Sequence, residues 1–82
     1  MVKVLFFAQL RERLECGELN YDLNATVTLE WLREQLAAQG DTWQECLQQG
    51  KLLMAVNQNL VDGNAQVNDG DEVAFFPPVT GG

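Results

Sequence analysis

Two apolar segments at opposite ends of the 82-residue chain constrain its fold more than any other feature. The first, VKVLFFA (Val2–Ala8), is rich in β-branched and aromatic residues and therefore predicts a β-strand. Alternation places its valines and Phe6 on one face, and Lys3 and Phe7 on the other. Because a lysine belongs in water, we expect Phe7 to lie on the outer face of the sheet.

The second segment, EVAFF (Glu72–Phe76), predicts a strand near the C-terminus. Val73 and Phe75 would face the core, whereas Glu72, Ala74 and Phe76 would face outwards. The simplest closure of the chain pairs the first strand with the last, side by side and parallel, in the middle of a mixed sheet.

Two helices are predicted between these strands. TLEWLREQLAAQG has the features of the longer one, with Thr28 as its N-cap, leucines 29, 32 and 36 on one stripe, and Gly40 ending it. DTWQECLQQG predicts a shorter helix with Asp41 as its cap and Gly50 as its end.

The remaining segments predict short strands and turns. ELNYDL (Glu18–Leu23) alternates cleanly and predicts a half-buried strand, preceded by a short helical turn in QLRERLE. KLLMAVN predicts another strand, and NQN, DGN and NDGD predict turns around the short segments 60–61 and 65–67.

This order of elements indicates an α+β roll with one main helix packed on one face of a mixed sheet, which is the layout of the ubiquitin-like β-grasp fold. The expected organisation is a single domain over residues 1–76, followed by an extended tail over residues 77–82.

Composition excludes several classes of function. The net charge of −7 would repel phosphate backbones, which argues against nucleic-acid binding and suggests a basic partner. No segment approaches the roughly 20 apolar residues of a membrane span, and the N-terminus does not resemble a signal peptide. We interpret Cys16 and Cys46 as reduced thiols of a cytoplasmic protein, with Cys46 packed on a helix.

No conventional active site is visible within the domain. The chain has no histidine, so neither cysteine has an imidazole partner to generate a thiolate. The acidic residues of DGN and NDGDE lack the spacing of a calcium loop and are interpreted as turn residues, so no metal site is expected. Trp31 and Trp43 are interpreted as helix packing residues.

The unusual chemistry lies in the closing sequence FFPPVTGG. Pro77 and Pro78 forbid helix and strand and would direct the tail away from the sheet. Gly81 and Gly82 have no side chains, so this end could enter a narrow channel and an enzyme could approach the terminal carbonyl closely. A frayed terminus remains the alternative, but the combination favours the Gly82 carboxylate as the working group.

The chain resembles a known family at KVLFFAQLRE, KLLMAVNQ and above all DGDEVAFFPPVTGG. These stretches are similar to the small, sulfur-carrying subunit of molybdopterin synthase, and the match spans the whole chain. Neither cysteine belongs to the family's motif.

The resemblance implies a cycle centred on Gly82. A ubiquitin-activating-type enzyme would use ATP to adenylate the terminal carboxylate, and a persulfide-based sulfurtransferase would convert the glycyl adenylate to a thiocarboxylate. The tail would then thread into the large catalytic subunit; its residues are Pro77, Pro78, Val79, Thr80 and Gly81. There the sulfur passes to a cyclic pyranopterin monophosphate to build the molybdopterin dithiolene. No permanently bound cofactor is implied, and the small subunit is not catalytic alone; the assembly would be a heterotetramer of two small and two large subunits.

The strand alternation also predicts a docking surface. Phe7 and Phe76 would emerge near the same end of the sheet on the face away from the helix, with Leu60 completing an apolar patch. The resemblance implies that this patch binds the large subunit. Cover of either phenylalanine by a neighbouring loop is the alternative.

Three other functions remain open. The thiamine-pathway sulfur carrier is also a β-grasp protein that ends in two glycines, although it is typically shorter and lacks FFPPVTGG. A protein modifier would use the same terminus to form an isopeptide bond with lysine. An interaction module with an incidental tail would keep its function after Gly81 and Gly82 were deleted.

Overall fold

The computed structural model describes residues 1–78 of the chain. Seven strands and three helices follow in the order β1 (Val2–Phe6), α1 (Ala8–Leu14), β2 (Glu18–Tyr21), β3 (Val27–Thr28), α2 (Leu29–Ala37), α3 (Asp41–Cys46), β4 (Leu53–Val56), β5 (Asn59–Val61), β6 (Gln66–Val67) and β7 (Glu72–Phe76).

The main sheet has the strand order β2-β1-β7-β4-β5, and β3 pairs with β6 in a separate two-stranded sheet. β1 and β7 are parallel neighbours at the centre, with Phe6 opposite Phe75, whereas the other pairs are antiparallel. The predicted pairing of the first strand with the last is therefore confirmed, and the chain has the α+β, β-grasp fold.

The core lies between one face of this sheet and the helices. Val2, Val4 and Phe6 are buried as predicted, as are Val73 and Phe75. They pack against the apolar stripe of α2, whose leucines 29, 32 and 36 are fully buried. Burial of such side chains stabilises the domain by about 1.5–3 kcal/mol each.

The start of α2 follows the sequence prediction, because the Thr28 hydroxyl accepts a hydrogen bond from the Trp31 amide at 3.1 Å. The predicted end is wrong. α2 ends at Ala37 with Ala38 as its C-cap, and Gly40 instead caps α3. The Gly40 carbonyl accepts the first helical bond, from the Gln44 amide at 2.9 Å, so Asp41 is the first residue of α3 and not its cap.

The predicted end of α3 at Gly50 is also wrong, because the helix stops at Cys46. Leu47 leaves the helical conformation and is fully buried, and its carbonyl accepts a hydrogen bond from Arg33. Arg33 also binds the Glu30 carboxylate and is the one buried charged side chain within residues 1–78. α3 thus ends at Cys46, before the predicted end at Gly50, because Leu47 packs in the core and its carbonyl binds Arg33 of α2.

Two further details differ from the sequence predictions. QLRERLE forms most of α1, a seven-residue helix with Leu10 and Leu14 buried, and not only a turn. Ala74 is on the outward face but is buried, because its small side chain lies between Leu5 of β1 and Ala55 of β4 in the sheet register.

Both cysteines are free, and Cys46 is buried, as predicted. Trp43 contacts Phe6 edge-on with ring centroids 5.5 Å apart, whereas Trp31 contacts Tyr21 and is partly exposed. Residues 1–78 contain no helix long and apolar enough to cross a membrane.

Candidate functional site

A pair of stacked aromatic rings marks the outer face of the sheet. Phe7 and Phe76 have ring centroids 4.8 Å apart and planes within 8° of parallel. Parallel pairing of β1 and β7 produces this contact, since the Phe7 amide continues the ladder and donates to the Phe75 carbonyl at 3.2 Å. Phe7 is 41% exposed, so no loop within residues 1–78 covers it, while Phe76 is half-buried.

The two rings belong to a larger apolar surface, which we call the apolar face. Its side chains come from β1, the residue after it, and strands β4, β5 and β7; they are Leu5, Phe7, Leu53, Ala55, Leu60, Ala74 and Phe76. Leu60 and Leu53 are 70% and 40% exposed. Large exposed apolar side chains grouped in this way mark a binding surface more often than a packing accident.

The register across the sheet gives the apolar face its shape. One continuous row of paired residues runs across four strands and consists of Leu5, Ala74, Ala55 and Leu60. The two central alanines make a shallow floor between the larger leucines at the ends of the row. Leu53 pairs with Phe76 in the adjacent row, so the aromatic pair borders this depression.

The depression is almost uncharged. Among its lining residues in the described part of the chain, Glu72 is the one that carries a charge. A surface of this kind loses little hydration of charged groups when an apolar partner covers it.

The chain leaves the sheet beside this surface. Pro77 follows directly after β7 and lines the depression, and Pro78 is exposed. Phe7, Leu60 and Phe76, the three side chains expected from the sequence to form a patch, thus lie together next to the start of the tail. Val79, Thr80, Gly81 and Gly82 lie outside the described residues.

Sequence reasoning missed the contribution of Leu53 and Ala55. Their alternation with Met54 and Val56 in KLLMAVN already placed them on one face of a strand. Which face that was depended on the pairing of β4 with β7, which the sequence alone did not specify.

The acidic turn between β6 and β7 serves the fold. Asp71 accepts hydrogen bonds from the Asn68 amide at 2.8 Å and the Asn57 side chain at 3.1 Å. Asp69 accepts a hydrogen bond from the N-terminal ammonium of Met1, and this bond, aided by charge attraction, lowers the pKa of Asp69 below its ordinary value. Across residues 1–78, no three histidine, cysteine, aspartate or glutamate side chains are grouped closely enough to hold a metal ion.

The β-grasp sheet, its exposed aromatic face and the diproline at the end of the last strand define a small ubiquitin-like protein. Comparison with known proteins makes this more specific. The model of the ThiS family matches residues 4–82, and the chain belongs to this family.

Relatives match over the whole length. The chain is 55% identical over 84 residues to the molybdopterin synthase sulfur carrier subunit of Escherichia coli (strain K12), with 100% of both chains covered. The resemblance inferred from the sequence is therefore confirmed.

Solved structures agree. A Haloferax volcanii protein known from its solution structure superposes with a TM-score of 0.82 at 27% identity, covering 99% of this chain and 85% of that one. A chain in the complex of subunits 1 and 2 of the molybdopterin-converting factor from Helicobacter pylori superposes with a TM-score of 0.68 at 30% identity, covering 99% and 97%.

Proposed function

We propose that this protein is the sulfur-carrying small subunit of a molybdopterin synthase, in the biosynthesis of the molybdenum cofactor, and that Gly82 carries the sulfur. The observation that carries the proposal is the 55% identity, over the full length of both chains, to a molybdopterin synthase sulfur carrier subunit. The glycine-ended tail and the apolar face beside it supply a physical reason for that role.

The chemistry requires activation of the terminal carboxylate. A carboxylate is a poor electrophile, so a ubiquitin-activating-type partner first joins it to the α-phosphate of ATP and releases pyrophosphate. The outer sulfur of a persulfide on a sulfurtransferase then attacks the glycyl carbonyl and displaces AMP, which leaves an acyl disulfide between the two proteins. A partner thiol reduces this S–S bond, so that the thiocarboxylate is released and the partner is left with a disulfide. The resulting thiocarboxylate is ionised near neutral pH and more nucleophilic than a carboxylate, as thiolates are.

The carrier itself contributes position and not acid–base catalysis. It has no histidine, and the acids and bases are supplied by the partners. Pro77 and Pro78 direct the tail, Val79, Thr80 and Gly81 span the channel of the large subunit, and Gly82 delivers sulfur to a cyclic pyranopterin monophosphate. Two sulfurs make one dithiolene, so two carrier deliveries serve each product.

The apolar face is proposed as the docking site for the large subunit. It places exposed Phe7 and Leu60 around the Phe76 ring and beside the point where the tail begins. Docking there would hold the tail at the entrance of the partner's active site, in a cytoplasmic assembly of two small and two large subunits. The subunit from the Helicobacter pylori complex supports a large-subunit partner through its similarity to this chain.

Intact-protein mass spectrometry tests the proposal directly. The protein is incubated with ATP, the cognate adenylating enzyme and a persulfide donor, and we expect a mass gain equal to the replacement of one oxygen by one sulfur. Fragmentation should place the sulfur on Gly82. A variant that lacks Gly82 is the matched control and should remain unchanged.

Two outcomes would contradict the proposal. One is sulfur on Cys16 or Cys46 with an unmodified terminus. The other is stable attachment of Gly82 to lysines of other proteins without any thiocarboxylate, which would instead indicate a protein modifier.

A further inference from the structure

The backbone of Ala8 has an unusual conformation at the edge of the apolar face. Its φ is 53°, although L-residues other than glycine, asparagine and aspartate rarely adopt positive φ. Ala8 lines the depression and directly follows Phe7, whose own backbone is extended, with φ −120° and ψ 156°. A non-glycine residue held in this region is strained, and such strain is concentrated at functional sites.

The strain occurs where the chain changes sides of the sheet. The Phe7 ring is on the outer face, stacked on Phe76, while Leu10 and Leu14 of the following helix are buried in the core. The Phe7 amide donates to the Phe75 carbonyl, and the Phe7 carbonyl accepts from the Leu10 amide, each at 3.2 Å. Ala8 is thus the residue at which the chain passes from the outer face of the sheet, where the Phe7 ring lies, to the core side, where α1 packs.

We propose that Ala8 is a positioning residue for the docking surface. An alanine at positive φ is confined to a small region near +50 to +70°, whereas glycine moves over both signs of φ with little cost. The methyl group of Ala8 therefore restricts the Phe7–Ala8 peptide and keeps the Phe7 ring stacked on Phe76 before a partner arrives. A surface that is ordered in advance loses less conformational entropy on binding.

The inference rests on the proposed docking of the apolar face on the large subunit. It predicts opposite signs for two properties of the Ala8→Gly variant. Glycine relieves the backbone strain, so the melting temperature should stay level or rise. Because Phe7 becomes less restricted, the variant should bind the large subunit more weakly, by roughly twofold to tenfold. A residue with only a structural role would not lower affinity while leaving stability intact.

The same helix supplies a matched control. Glu15, at the C-terminal end of α1, also has a positive φ of 52°, but it does not line the apolar face. Glu15→Gly should relieve comparable backbone strain without changing the affinity for the large subunit. Glu15→Gln removes the same charge but keeps a side chain, so it is the reference for the effect of the charge.

A D-alanine at position 8 provides the rescue. D-Ala prefers positive φ, so it restricts the Phe7–Ala8 peptide without backbone strain. Its methyl group points in a different direction from that of L-Ala. Cys16 offers a natural ligation site, at which a synthetic 1–15 thioester can be joined to an expressed 16–82 fragment. We expect the D-Ala8 protein to bind the large subunit as tightly as the wild type.

The measurements are isothermal titration calorimetry with the intact large subunit, thermal unfolding, and NMR of the free protein. Ala8→Gly should weaken the Phe7–Phe76 ring contacts and lower the backbone order at residues 7 and 8. Unchanged affinity and ring contacts in Ala8→Gly would overturn the role of Ala8, and so would a D-Ala8 protein that binds as weakly as the glycine variant. Failure of the wild type to bind the large subunit would instead overturn the proposed docking, and the role of Ala8 with it.

Discussion

At the scale of single residues, several polar groups of this protein hold its turns and its N-terminus in place. The link between the Met1 ammonium and Asp69 joins the first residue to the turn before the last strand. The Met1 carbonyl accepts from the Gly70 amide at 2.9 Å, so both polar groups of the first residue bind this turn.

This link predicts a specific pH dependence. The pKa of Asp69 is lower in the folded protein than in the unfolded chain, so its ion pair stabilises the fold at pH values above the ordinary pKa of an aspartate. That contribution is lost as the pH falls through the lower, folded pKa. Asp69→Asn should therefore be less stable than the wild type in urea titrations at pH 7, with the difference disappearing in acid.

N-terminal acetylation provides the second arm of this test, because it removes the ammonium partner and leaves Asp69 in place. The acetylated protein should lose the same pH-dependent part of its unfolding free energy. Acetylation of the Asp69→Asn variant should reduce its stability little further. Wild-type and Asp69→Asn stabilities that run parallel across the whole pH range would rule out this ion pair as a stabilising contact.

The two cysteines give a prediction about where sulfur is carried. Cys46 is buried against the core and Cys16 is half-buried, with its thiol donating to the Glu18 carbonyl at 3.4 Å. Replacing Cys46 by alanine and Cys16 by serine should cost about 1 kcal/mol of unfolding free energy, mostly from the core position. Sulfur loading of Gly82, followed by mass spectrometry, should be unaffected. A folded double variant that no longer accepts sulfur would show that a thiol participates.

At the scale of elements, the central strand pair makes the apolar face. β1 and β7 carry core side chains on one face, and at the end of the other face Phe7, which directly follows β1, stacks on Phe76 of β7. Phe7→Glu or Phe76→Glu should weaken binding to the large subunit by about 2 kcal/mol or more, because a charge would be buried against an apolar partner. Calorimetric titration measures the loss, and circular dichroism should show an unchanged fold.

Trp31 is the matched control for this prediction. It is 40% exposed, nearly the same as Phe7 at 41%, but it lies on α2, on the other side of the sheet. Trp31→Glu should leave the affinity unchanged. If both phenylalanine variants bind as tightly as Trp31→Glu, the large subunit docks elsewhere.

The elements also show what the sequence could and could not predict. Strand alternation was sufficient to assign the faces of β1 and β7, although the outward-facing Ala74 of β7 is buried. The ends of α2 and α3 were wrong, since both were assigned from glycines, whereas tertiary contacts of Leu47 and Arg33 end α3. Leu53 was missed because its position on the apolar face depends on a long-range strand pairing.

At the scale of the whole molecule, the fold brings the two ends of the sequence together. Parallel pairing of the first and last strands places Phe7 and Pro77 on the border of one depression, although they are seventy residues apart in sequence. A partner that binds the apolar face is therefore positioned next to the start of the tail. In the proposed function, the domain over residues 1–76 recognises the partner and the tail carries the terminal carboxylate to the partner's active site.

This division predicts that tail length matters for transfer but not for folding. The last strand ends at Phe76, so adding one alanine after Gly82, or deleting Gly82, should leave the thermal unfolding transition unchanged. Either change displaces the terminal carboxylate from the position at which partners react with it, and sulfur loading and molybdopterin formation should both be abolished. Gly81→Trp should leave the carboxylate chemically intact but block entry to a narrow channel. An extension that a protease can remove should regain transfer after cleavage, and an extended protein that supports molybdopterin formation without being trimmed would exclude Gly82 as the reacting terminus.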